Sequence, residues 1–186
     1  RPWRTAFRSG ACRTICARAP RSTQCRSPNC SVAAISRRRP DVIAGGCRCG
    51  AVRYTLAMDD LPTVYCCHCL KCQSWAGSAF TQQAPVRADA LAVEGPVAEY
   101  SFANTGGSVS HQRVCVTCHT RIYNTNSAWS GIAMLRAGTL DRSDELVPRA
   151  HIWAKRKQPW IAIADDVPQW PESAPMEEFV ALLFPR

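Results

Sequence analysis

Eight cysteines fall between Cys47 and Cys118, in three groups: Cys47-Arg48-Cys49, Cys66-Cys67-His68-Cys69-Leu70-Lys71-Cys72 and Cys115-Val116-Thr117-Cys118. Thiols at these spacings hold a metal or form disulfides. A disulfide inside a Cys-x-Cys or Cys-x-x-Cys pair closes a small, strained ring. Two sulfurs converging from one tight turn suit tetrahedral zinc, with zinc-sulfur bonds of about 2.3 Å. Metal is therefore the reading taken. In an extended segment alternate side chains share a face, so Cys67 and Cys69 converge while Cys66 and His68 point away. A following turn returns Cys72 to Cys69, which makes Cys67, Cys69 and Cys72 the natural three-thiolate set. Cys47, Cys49, Cys115 and Cys118 then form a closed four-thiolate set of structural type. Spacing alone also permits Cys47, Cys49, Cys69 and Cys72 as a quartet. Cys66 reads as a small buried hydrophobe.

The elements that must position these sulfurs are short and β-leaning. Val42 to Gly46 leads into the first pair, and Gly45, Gly46 and Gly50 allow the chain to turn tightly there. Ala51 to Ala57 alternates, with Val52, Tyr54 and Leu56 on one face, which predicts a half-buried strand. Thr63 to Cys66 is a second strand, and a helical turn is expected from Cys72 through Trp75. Further short strands are expected at Ser78 to Gln83, Leu91 to Val93, Val97 to Phe102, Ser108 to Val114, Arg121 to Tyr123, Gly131 to Arg136 and Arg149 to Trp153. Pro85, Asp89 and Gly95-Pro96 separate the first three of these. This rhythm of short strands and turn signals predicts an antiparallel, mainly β domain over residues 41–186. Met176, Phe179, Val180 and Leu183 form one stripe of a short C-terminal packing helix.

Composition divides the chain at the same boundary. The net charge is +9, yet residues 1–40 hold ten Arg and no acid, while the rest carries 13 basic and 14 acidic residues. The basic character thus describes an extension and not the domain. Residues 1–40 lack sustained hydrophobic periodicity and read as disordered. An artefactual or inert tail, a targeting segment and an arm for acidic partners are the three readings of this segment. Cys12, Cys16, Cys25 and Cys30 lie within it at irregular spacings and receive no ligand role. Nucleic-acid binding is not expected outside this arm. No apolar run is long enough to span a membrane, and Arg interrupts every candidate export signal. A cytoplasmic setting is expected, in which thiols stay reduced.

The ordered motifs Gly46-Cys47-Arg48-Cys49-Gly50-Ala51-Val52-Arg53-Tyr54, Cys67-His68-Cys69-x-x-Cys72, Cys115-x-x-Cys118, Arg136-Ala137-Gly138-Thr139-Leu140-Asp141 and His151-Ile152-Trp153 resemble the glutathione-dependent formaldehyde-activating enzyme family, which includes centromere protein V. The resemblance implies a zinc-stapled fold of the β-tent type with two zinc ions per chain. It assigns Cys47, Cys49, Cys115 and Cys118 to a structural zinc and Cys67, Cys69 and Cys72 to a second, catalytic zinc. It further implies carbon-sulfur lyase chemistry, in which a glutathione-like thiol and a small aldehyde such as formaldehyde are the partners. The family has Gly where this chain has His119, a position that calls for a left-handed residue or one supporting the metal.

Other candidate groups carry weaker signals. His68, His111 and His151 are possible proton carriers, although packing or solvation explains each. Lys155, Arg156 and Lys157 could receive carboxylates, and equally form a solvated turn. Trp129, Trp160 and Trp170 fit either a cleft wall or core packing. The rival functions are a non-enzymatic zinc scaffold with a basic arm and a redox module that releases zinc on oxidation.

Overall fold

The computed structural model describes residues 42–184, so the readings of residues 1–40 lie outside the described part. Two sheets carry the fold. The smaller has the order β1-β2-β5, from β1 (Ile43–Gly46), β2 (Arg53–Leu56) and β5 (Leu91–Glu94). The larger has seven strands in the order β10-β3-β4-β9-β8-β7-β6. These are β3 (Val64–Cys67), β4 (Thr81–Arg87), β6 (Val97–Ala103), β7 (Val109–Cys115), β8 (Arg121–Asn126), β9 (Ile132–Arg136) and β10 (Pro148–Ile152). Neighbours run antiparallel except at one edge, where β10 lies parallel to β3 with His151 opposite Cys66. The long connection between β3 and β10 removes the hairpin constraint that would force an antiparallel pair. Two short helices complete the fold, α1 (Leu70–Ala76) and α2 (Met176–Leu183). Among the described residues, no helix is long and apolar enough to cross a membrane.

Side-chain alternation divides the large sheet into two apolar faces. Val64, Ala84, Val86, Ile122, Ala133 and Leu135 belong to the main core, together with Ile43, Val52, Tyr54 and Leu56 from the small sheet and its flank. Tyr65, Cys67 and Met134 point to the opposite side, where Ala150, Phe179 and Leu183 form a second core under α2. Strand β2 shows why the period matters. Tyr54 and Leu56 are buried while Arg53 and Thr55 are exposed, as a strand with one buried face requires.

The small sheet is docked by contacts between two of the sequence motifs. Arg53 donates to both oxygens of Asp141, at 2.9 and 2.5 Å. The Tyr54 hydroxyl meets Thr139 Oγ1 at 2.8 Å, and the Asp141 amide donates to the Ala44 carbonyl at 2.9 Å. Gly45 lies at this crossing, and a Cβ there would collide with the Tyr54 ring and hydroxyl and with the Thr139 carbonyl. Gly45→Ala is therefore expected to cost about 1–3 kcal/mol, the usual penalty for overpacking a filled site. Urea denaturation checks this, with the midpoint falling at an unchanged slope.

Candidate metal centres

Each cysteine group sits at the end of a strand, where the backbone turns. After β1, Cys47 accepts a hydrogen bond from the Val52 amide at 3.2 Å, and Gly50 turns the chain at φ 80°. After β7, the Thr117 amide donates to Cys115 Sγ at 3.4 Å, and Thr120 Oγ1 lies 3.1 Å from Cys118 Sγ. These two turns bring Cys47, Cys49, Cys115 and Cys118 together, with all four sulfurs within 4.8 Å of one another. The Cys47 and Cys49 sulfurs are 3.4 Å apart, and those of Cys49 and Cys115 are 3.8 Å apart. A disulfide needs about 2.05 Å, whereas a tetrahedral ion at about 2.3 Å from each sulfur separates its ligands by about 3.8 Å. The geometry fits an ion, and all four thiols are free. The alternative quartet with Cys69 and Cys72 does not form.

The second cluster contains Cys67, Cys69 and Cys72, again with sulfurs within 4.8 Å. Strand β3 delivers Cys67, and the extended residue Cys69 (ψ 151°) caps α1, its sulfur accepting from the Cys72 amide at 3.4 Å. One helical turn then places Cys72 over Cys69. Gln83 Nε2 lies 3.9 Å from the Cys72 sulfur. Cys67 is buried, while Cys69 and Cys72 are half-buried. Hydrogen bonds from Cys67 and then Cys72 hold the Cys69 thiol far below its ordinary range. The hydrogen bond to Cys69, followed by that to Cys72 and by burial, pushes Cys67 up. Three sulfurs this close could ligate one cation as thiolates.

The histidines fall elsewhere. His68 is fully buried, and its Nε2 lies 2.8 Å from Nδ1 of His151, the two rings stacked at 5.1 Å. His111 pairs on the sheet surface with Ser101 and Glu99, at 2.8 and 3.0 Å. Cys66 is fully buried outside both clusters, and burial pushes its thiol up to about 12, in keeping with a packing role. Lys155 pairs with Glu172, and Lys157 Nζ donates to the Ile161 carbonyl at 3.0 Å. Trp170 packs on Phe179, Trp129 borders α2, and Trp160 is exposed.

His119 has φ 57°, the left-handed conformation that Gly adopts freely, and its amide donates to the Cys115 carbonyl at 3.0 Å. A side chain in that conformation costs about 1–2 kcal/mol, against about 0.5–1 kcal/mol for the extra freedom Gly loses on folding. His119→Gly is therefore expected to stabilise the domain by about 0.5–1 kcal/mol, read as a rise in Tm. Trp153 shares the conformation at φ 58°, and no turn residue at that position signals it.

Sequence reasoning also missed a buried polar group at the end of β9. Arg136 is 9% exposed; its Nη2 donates to Asn124 Oδ1 and, at 3.4 Å, to Gln112 Oε1. Arg121 Nη2 donates to the same Gln112 oxygen at 2.6 Å. A charge closing the apolar run Ile132 to Leu135 was the available signal.

No curated protein matches the chain. The crystal structure of a Rhodobacter sphaeroides protein, a structural genomics target, is similar over 56% of this chain and 97% of its own, at 19% identity and a TM-score of 0.44. The family description "Glutathione-dependent formaldehyde-activating enzyme" matches residues 42–156, a span that holds both clusters and every motif from Gly46 to Trp153. With more than half its length matched, the chain belongs to the glutathione-dependent formaldehyde-activating enzyme family.

Proposed function

We propose that the protein binds two zinc ions and joins a glutathione-like thiol to a small aldehyde such as formaldehyde, the reaction of a carbon-sulfur lyase run towards synthesis. In this reading Cys47, Cys49, Cys115 and Cys118 hold a structural ion, while Cys67, Cys69 and Cys72 form the catalytic centre. The observation that carries it is the unequal division of seven sulfurs into four and three. Four protein ligands close a tetrahedral ion, whereas three leave a position for a substrate. A zinc ion bound there would keep an incoming thiol as its thiolate near neutral pH. The three cysteines reduce the electrophilicity of that ion by their own charge, which favours holding a thiol over activating an aldehyde. The half-buried Cys69 and Cys72 mark the side from which a ligand enters. In the balanced reaction the thiol sulfur bonds the aldehyde carbon, the carbonyl becomes an alcohol and the thiol proton ends on its oxygen. Nothing is oxidised. A reducing, cytoplasmic setting belongs to the same proposal, since it keeps the sulfurs available as ligands.

The test is a screen of aldehydes with low-molecular-weight thiols, followed by NMR for hemithioacetal formation above the uncatalysed rate. Catalysed adduct formation with at least one pair is expected. A protein with both metals bound and no catalysis with any pair would contradict the reading and favour a zinc scaffold.

A further inference from the structure

A cavity of about 800 Å³ opens between α1, β7, β8 and the turn after β9. Its walls come from segments that neighbour both cysteine clusters. Trp75 lies on the helix that carries Cys72, His119 follows Cys118, and Thr81 at its wall donates to the Cys72 carbonyl at 3.0 Å. The aromatic rings of Trp75, Phe80 and Tyr100 line it, together with Arg121 and Arg136. No Asp or Glu is among its lining residues.

The two arginines, Arg136 buried and Arg121 half-buried, are underpartnered for cations. Nε of Arg121, and Nε and Nη1 of Arg136, are buried without a hydrogen-bond partner. The acceptors they do have, Gln112 and Asn124, are neutral amides. Neither arginine joins an ion pair with a carboxylate among the described residues. Burial first, and then the Arg136 charge, push Arg121 down from the usual guanidinium range. A guanidinium keeps its proton in proteins, and the strain is relieved only by a negative charge.

The cysteine trio supplies part of that charge. Three thiolates around one divalent ion leave one negative charge, and two guanidiniums carry two positive ones. Arg121 also lies over the Trp75 ring, 3.6 Å from its centroid, which fixes the guanidinium at the cavity wall.

We propose that this cavity receives a carboxylate of an organic ligand, with Arg121 and Arg136 as its receptors and the aromatic walls against its carbon skeleton. The proposal rests on the thiol-handling reading above, and it places the anchor of the thiol substrate in this cavity and not at Lys155, Arg156 and Lys157. Guanidinium forks suit planar carboxylates, and their bonds to anions are stronger than those to neutral amides.

The test is calorimetric titration of the metal-loaded full chain with S-methylglutathione and with its dimethyl ester. Both probes lack a free thiol, so the readout is independent of carbon-sulfur chemistry. The acid is expected to bind and the ester to bind at least about tenfold more weakly, since charge-assisted bonds are lost. Arg121→Gln is expected to weaken the acid about tenfold or more and to narrow the difference between the probes, with metal content and circular dichroism unchanged. Arg136→Met tests the deeper receptor, and the Arg121 variant keeps the test decisive if that protein does not fold. Absent binding of the acid, equal binding of acid and ester, or an unaffected Arg121→Gln variant would each overturn the proposal. Carboxylate-dependent binding without adduct formation would sink the catalytic reading alone. Adduct formation without such binding would sink this one alone.

Discussion

Cys115→Ser is expected to unfold the domain. Cys115 is fully buried at the end of β7, in the main core, and its sulfur lies 3.8 Å from that of Cys49. The four-sulfur cluster ties the turn after β1, in the small sheet, to the turn between β7 and β8, in the large one. A structural metal contributes about 10–16 kcal/mol in small zinc peptides, while a whole domain is stable by about 5–15 kcal/mol. Losing even part of the former exhausts the latter. Cys66→Ser provides the comparison, because Cys66 is equally buried but lies outside both clusters. It is expected to cost about 1–3 kcal/mol, the ordinary penalty for a misplaced polar group, and to keep both ions. Circular dichroism and metal content separate the cases. A Cys115→Ser protein that melts cooperatively near the wild-type Tm would remove the structural role of the quartet.

Cys69→Ser is expected to have the opposite profile, with the fold kept and the chemistry lost. Cys69 is half-buried and belongs to a cluster at the margin of the second core, where the sheet pairings do not depend on it. Its sulfur also caps α1, and Ser is itself a good cap, so the helix survives the exchange. Metal affinity at the trio then falls. Changes in the residues that merely support metal ligands cost about 10–100-fold, so loss of a ligand is expected to reduce turnover by at least about 100-fold. One ion per chain should be lost with it. Unchanged turnover would take the trio out of the mechanism.

The cysteine clusters were legible because their geometry is local. Alternation in β3 separates Cys67 from Cys66, and one helical turn returns Cys72 to Cys69, both of which follow from spacing. The joining of Cys47 and Cys49 with Cys115 and Cys118 is not local; spacing leaves it open, and only the family resemblance implies it. Strand β2 and helix α2 were readable from their periods, though α2 buries only Phe179 and Leu183 of its stripe and leaves Met176 and Val180 exposed.

Strand β4 was harder to read. Pro85 looks like a break between strands, yet it lies inside β4 opposite Met134. The pairing of β3 to β4 ends at Gln83, so beyond that point β4 has a neighbour on one side only and tolerates a residue without an N–H. The parallel placement of β10 and the Arg121 and Arg136 network depend on contacts between distant segments. Periodicity carries no information about either.

The central claim is that the sulfurs divide into a closed quartet and an open trio, each holding one zinc ion. Zinc per chain in purified, reduced protein tests it most directly, with wild type and Cys69→Ser measured side by side by elemental analysis. Two ions in the wild type and one in the variant are the expected result. A wild-type protein without zinc, or a variant that keeps the full wild-type complement, would contradict the account.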